Sequence, residues 1–190
     1  MLSHSYFKNH TDTFFAYYKE SLVFPDALPN LAHHSLARLE KQGKLKAIIT
    51  QNVDSLHQKA GSTNVFELHG SAARNYCMNC HALYDLDYVL AAPGTPTCQK
   101  CGHIVKPDVV LFEEGLDQSV IQQAVSHIQK ADVLIIGGTS LNVYPAAGLV
   151  DYFQGHTLVI INKTTTPYDR RANIVIQDSI GAVLDAAVER

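Results

Sequence analysis

The chain has 190 residues, 46% hydrophobic and 17% charged, enough to bury a sizeable core in one large domain or a domain with a small insert. A net charge of −3, with no lysine- or arginine-rich run, gives no basic field for binding nucleic acid. No apolar stretch approaches the length of a membrane span and no charged-then-apolar leader opens the chain, so a soluble, cytoplasmic protein is expected.

In chain order, Thr11 to Leu22 (TDTFFAYYKESL) opens on a Thr-Asp cap and predicts a helix. Phe14, Phe15, Tyr17 and Tyr18 read as its core and rim. Pro29 to Gln42 predicts a second helix, with Leu31, Ser35, Leu36 and Leu39 at helical intervals and a stop at Gly43. Leu45 to Thr50 reads as a buried strand. It runs straight into TQNVDSLH (50 to 57), which presents Gln51, Asn52, Asp54 and His57 in quick succession. That is either a polar corner or a site. Val65 to Leu68 is a short strand ending in ELHG (67 to 70). Beyond the cysteine segment, strands are expected at Asp108 to Phe112, Asp132 to Ile136, Thr157 to Ile161 and Ile174 to Ile176. Helices are expected at Asp117 to Lys130, Tyr144 to Phe153 and Ser179 to Glu189.

Strands apolar throughout and alternating with helices imply a parallel sheet covered on both faces. Such sheets bind ligands at the carboxyl ends of their strands. TQNVDSLH, GGTSL (137 to 141) and INK (161 to 163) each follow such an end, so the three should line one edge.

The four cysteines are Cys77, Cys80, Cys98 and Cys101, in the layout C-x2-C-x17-C-x2-C. Two thiolates two residues apart on a knuckle can reach one ion at about 2.3 Å, and two knuckles complete a tetrahedron. Asn79 and Gly102 are small residues suited to such turns. Two disulfides or a redox dithiol pair are the alternatives; disulfides need an oxidising compartment that nothing in the composition supports. With four sulfur ligands no position stays open for water, so one structural zinc is expected.

Other motifs admit two readings. Gly137-Gly138-Thr139-Ser140 after a strand is either a tight turn or a close approach to a phosphate or ribose. His69 is either a packed residue or a base. His33-His34 has no spaced partner in the sequence, and His81 and His103 are surplus to a filled tetrahedron.

Taken together, TQNVDSLHQKAG (50 to 61), ELHG, the cysteine pattern, KPDVVLFEE (106 to 114), GGTSLNVYPA (137 to 146) and IIN (160 to 162) resemble the sirtuins, NAD-dependent protein-lysine deacylases, in order and spacing. The resemblance implies a Rossmann-like parallel α/β fold, residues 1–70 and 107–190, with an inserted zinc-ribbon domain at 71–106. It implies that Gln51, Asn52, Val53 and Asp54 hold the nicotinamide ribose. Gly138, Thr139, Ser140, Asn162 and Ile180 would contact the phosphates and adenosine. Val109, Val110, Phe112 and Val143 would line the path of an acetylated lysine. His69 would be the general base, with Asn52 also catalytic. The expected products are nicotinamide, free lysine and O-acetyl-ADP-ribose. Sirtuins that remove acidic acyl groups carry a Tyr-x-x-Arg pair, whose positions are Phe15 and Tyr18 here.

The chain departs from the family at its start. It opens at MLSHSYFKNH, past the family's first strand, its G-A-G-x-S loop and its G-I-P-D-F-R segment. A truncated, impaired enzyme with a gap beside the strand at 132 to 136 is the expectation. An inactive zinc-ribbon interaction module and a mono-ADP-ribosyltransferase are the alternatives.

Overall fold

The computed structural model describes residues 1–188. The helices are α1 (His4–Asn9), α2 (Thr11–Tyr17), α3 (Leu31–Lys41), α4 (Leu56–Lys59), α5 (Leu86–Ala91), α6 (Gln118–Lys130) and α7 (Ile180–Ala187). The strands are β1 (Ile48–Thr50), β2 (Val65–Glu67), β3 (Gly70–Cys77), β4 (Leu83–Tyr84), β5 (Val105–Val109), β6 (Val133–Gly137), β7 (Thr157–Ile161) and β8 (Ile174–Ile176). The last helix was expected to reach Glu189, which lies outside the described residues. The chain separates into two compact units. One is Met1–Ala27 with Gln51–Ser55 and His69–Leu116; the other is Leu28–Thr50 with Leu56–Leu68 and the chain from Asp117 onward.

In the first unit Ser3 caps α1 by accepting the Tyr6 N–H at 3.1 Å. Helix α2 runs on through one π turn, Tyr18–Leu22. Phe7, Phe14, Phe15 and Tyr18 are fully buried and share a core with Val89, Val105 and Leu111, while Tyr17 is half-buried. Phe7 meets Phe14, and Phe14 meets Phe15, edge to face at 5.0 and 5.4 Å between ring centres. Strand β3 pairs antiparallel with both β4 and β5.

The strand expected at Asp108–Phe112 instead begins at Val105 and belongs to this antiparallel sheet. Val105, Pro107 and Val109 are buried in alternation with Lys106 and Asp108, so its period is two. Reading only the apolar run DVVLF missed that period.

In the second unit β1 and β2 are parallel, and β6, β7 and β8 form a parallel sheet in that order. Asn30 starts α3 by accepting the Ala32 N–H at 2.9 Å. Ala32 and Leu36 of α3 pack with Ile161, Ile176 and Leu184, so α3 and α7 cover one face. Ala124 and Ile128 of α6 pack with Ile49, Leu68, Leu134 and Leu149 on the other. Helices cover both faces, as a parallel sheet requires. The expected helix at Tyr144–Phe153 is a 3-10 run, Ala146–Tyr152. Strand β6 has β7 on one side and, among the described residues, no strand on the other; Val133 and Ile135 are exposed along it. Among these residues no helix is long and apolar enough to cross a membrane.

Candidate functional site

Gln51–Ser55 continue from β1 into the first unit, where they meet His69–Gly70. The Ala72 N–H donates to the Val53 carbonyl at 2.9 Å, and the Ser55 and Ser71 hydroxyls are 2.8 Å apart. Ser55 takes a left-handed φ of 57°, which turns the chain after Asp54. Asn52 and Asp54 are exposed; Gln51 and Val53 are half-buried.

His69 is half-buried, and its Nδ1 lies 2.9 Å from the Gln51 carbonyl oxygen. A carbonyl only accepts, so Nδ1 carries the proton and Nε2 keeps its lone pair. The sequence left His69 open between packing and base; this bond fixes the ring's tautomer and fits either.

Gly70 makes that placement possible. Its φ is +72°, and a Cβ there would fall 1.9 Å from the Asp108 carbonyl oxygen. Only glycine lets β3 start this close to β5, so that the Val110 N–H reaches the His69 carbonyl at 3.0 Å.

The substrate residues expected at Val109, Val110 and Phe112 therefore sit beside His69 along the chain leaving β5. Val109 is buried and Phe112 is 66% exposed. Val143 lies in the second unit on an exposed turn. The segment is pinned by residues that the sequence reading passed over. Glu114 accepts the Leu111 N–H at 2.8 Å and the Lys106 ammonium at 3.3 Å, and meets His4 Nδ1 at 2.8 Å. Lys106 also donates to the Val109 carbonyl at 3.0 Å. Burial opposes charge on Glu114, but the Leu111 N–H, His4 and Lys106 outweigh it and hold its carboxyl below the usual range. The charges of KPDVVLFEE were the available signal.

The four thiols are free and their sulfurs lie within 4.8 Å of one another. Cys77 and Cys101 are 3.4 Å apart, Cys80 and Cys98 3.6 Å, and Cys80 and Cys101 3.5 Å. Sulfurs tetrahedrally placed about 2.3 Å from a zinc would be about 3.8 Å apart, so the set fits one zinc. The Asn79 and Cys80 N–H groups point at Cys77 Sγ, each at 3.4 Å. The His103 N–H, then Cys77, hold the Cys101 thiol down at about 5, and the Tyr84 hydroxyl draws Cys98 below the ordinary thiol value. Asn79 lies in the turn of the first knuckle as expected, and His81 and Gly102, each just after a knuckle, are left-handed.

In the second unit the loops after β6, β7 and β8 converge. The Gly138 N–H donates to the Ile161 carbonyl at 3.1 Å, and Asn162 Nδ2 donates to the Thr139 and Thr164 carbonyls at 3.1 and 3.0 Å. Ile180 packs on Gly137 so closely that a Cβ there would be 2.0 Å from its Cδ1. Gly138, Thr139, Asn162 and Ile180 are thus brought together, with Ser140 exposed beside them. Amide, hydroxyl and backbone groups at the carboxyl ends of parallel strands suit a nucleotide. His57 falls in this unit and its ring lies tilted against that of His33, 4.7 Å between centres, a partner that spacing did not show.

A model of the Sir2 family matches residues 1–145. The chain is 62% identical over 189 residues to the NAD-dependent protein deacetylase of Clostridium acetobutylicum, covering 99% of this chain and 77% of that one. It is 50% identical over 186 residues to the NAD-dependent protein deacetylase of Cutibacterium acnes, covering 98% and 76%. A solved Sir2 bound to acetylated peptide superposes with a TM-score of 0.90 at 35% identity, covering 98% of this chain and 81% of that one. A Sir2 solved with p53 peptide and NAD+ gives the same score at 36% identity, covering 98% and 80%.

Proposed function

The chain belongs to the Sir2 family, and from that premise we propose that it is a NAD-dependent protein-lysine deacetylase, turning NAD, water and an acetylated lysine into nicotinamide, deacetylated lysine and O-acetyl-ADP-ribose. The observation that carries the reading is the bond from His69 Nδ1 to the Gln51 carbonyl. When bound, NAD supplies the ribose carbon to which the acyl oxygen transfers as nicotinamide departs.

His69 takes a proton from a ribose hydroxyl at Nε2, the nitrogen that the tautomer leaves basic. Gln51, Asn52, Val53 and Asp54 hold the nicotinamide ribose; Gly138, Thr139, Ser140, Asn162 and Ile180 hold the phosphates and adenosine. Val109, Val110, Phe112 and Val143 take the acetyl-lysine stem. The cysteine set is structural: four sulfur ligands leave a zinc no position for water. Free thiols in that set accord with a cytoplasmic location.

The test is incubation of the purified protein with acetyl-lysine peptide and NAD, read by mass spectrometry. Deacetylated peptide with O-acetyl-ADP-ribose is expected, and His69→Ala should lower turnover by about 10²–10⁴-fold. An ADP-ribosylated peptide with its acetyl group retained would instead mark a transferase. Turnover unchanged in His69→Ala would remove His69 as the base.

A further inference from the structure

The four sulfurs are not equally supported. Cys98 accepts the Lys100 N–H at 3.4 Å, as knuckle sulfurs do, and in addition receives the side-chain hydroxyl of Tyr84 at 3.1 Å. The direction of that second bond follows from the sulfur, since a ligating thiolate has no proton to give and the hydroxyl must donate. The Gln99 N–H, which can only donate, reaches the Tyr84 oxygen at 2.9 Å and occupies a lone pair. The hydroxyl proton is left to point at sulfur.

The tyrosine itself is held from two sides. Strand β4 pairs Tyr84 with Asn75 of β3, and the ring lies 4.4 Å from that of Tyr88 on α5. Tyr88 in turn donates to the Thr97 carbonyl, next to Cys98. The two rings thus grip residues 97 to 99 from within the same sheet and helix.

We propose that Tyr84 is a positioning residue for the metal centre: its hydroxyl orients Cys98 and takes up part of its thiolate charge, slowing metal loss through the second knuckle. This rests on the zinc reading of the four cysteines. A donor behind a ligand atom fixes its lone pairs and lowers its nucleophilicity, and losing such an outer partner costs about 10–100-fold in metal affinity.

The test uses the full chain loaded with zinc and compares Tyr84→Phe, which keeps the ring on Tyr88, with Tyr88→Phe, which keeps the hydroxyl on Cys98. Transfer of zinc to a colorimetric chelator should be about 10–100-fold faster in Tyr84→Phe. In the cobalt-substituted protein the thiolate-to-cobalt charge-transfer band should shift in Tyr84→Phe and stay unmoved in Tyr88→Phe. A merely structural tyrosine would not separate the two variants in this way. A measurement without substitution is the cadmium-113 protein, where the Tyr84 hydroxyl proton should show scalar coupling to the metal. Zinc release and cobalt spectrum unchanged in Tyr84→Phe, or no such coupling, would overturn the proposal while leaving the zinc site standing. A wild-type chain that holds no zinc would overturn both.

Discussion

Gly70→Ala isolates how the fold places His69, the base proposed above. A Cβ at this residue would stand 1.9 Å from the Asp108 carbonyl oxygen, where real contacts essentially never fall below 3.0 Å, so the backbones must part by about 1 Å. The left-handed φ of +72° adds about 1–2 kcal/mol for any residue with a Cβ. Parting the strands strains the bond from the Val110 N–H to the His69 carbonyl and its neighbour in the ladder, at about 1 kcal/mol each. The sum is roughly 3–4 kcal/mol, a fall in Tm of roughly 6–16 °C for a chain of this size. Because His69 precedes the displaced residue, kcat/KM should fall by about 10²-fold beyond any loss of folded protein. Gly43→Ala is the control: its φ is +71°, with nothing within 4 Å of a Cβ, so it carries only the conformational cost of about 1–2 kcal/mol. Thermal unfolding by circular dichroism and steady-state kinetics on both variants decide the matter. Equal losses of stability in the two, with deacetylation intact in Gly70→Ala, would refute the close-approach argument.

Glu114→Gln should be less stable than wild type at pH 7, and the difference should vanish in acid. The carboxyl is held below its unfolded value of about 4.3, so its contribution is complete above that value and is lost as pH falls through the lower folded one. Urea unfolding of both proteins from pH 3 to 7 checks this, and a gap that widens in acid would contradict it. On acyl chains, kcat/KM for an acetyl peptide should exceed that for a succinyl peptide. Phe15 and Tyr18 are both fully buried and uncharged, so neither offers an acidic acyl group the paired donors of an arginine. A succinyl peptide turned over as well as the acetyl one would contradict that.

Elements with a strong period were legible in the sequence. The helices at 31–41 and 118–130 and the strand at 157–161 fall where apolar spacing and caps put them. Local chemistry was legible too, since four thiols at knuckle spacing need no knowledge of the fold. What escaped depends on partners distant in sequence. Strand β5 starts at Val105, where it pairs with β3, so most of its alternation of buried and half-buried residues lies outside DVVLF. The pairing of His33 with His57 and the grip of Tyr84 on Cys98 are likewise tertiary contacts with no signature in spacing. Gly70 is the intermediate case. It stood in a recognisable motif, but the reason for it is the Asp108 carbonyl, thirty-eight positions away.

The group that orients His69 belongs to the main chain. Many catalytic imidazoles are steadied by a carboxylate, which one substitution can delete and whose charge favours the imidazolium. A peptide carbonyl carries no formal charge and cannot be removed by any change of side chain at position 51. A substitution of the Gln51 side chain, proposed above to touch the nicotinamide ribose, therefore leaves in place the carbonyl that sets the ring's tautomer. On the roles proposed for Gln51 and His69, recognition would be inherited through the codon and proton transfer through the path of the backbone. Variation at position 51 would then retune what is bound there while the orientation of the His69 ring is passed on unaltered.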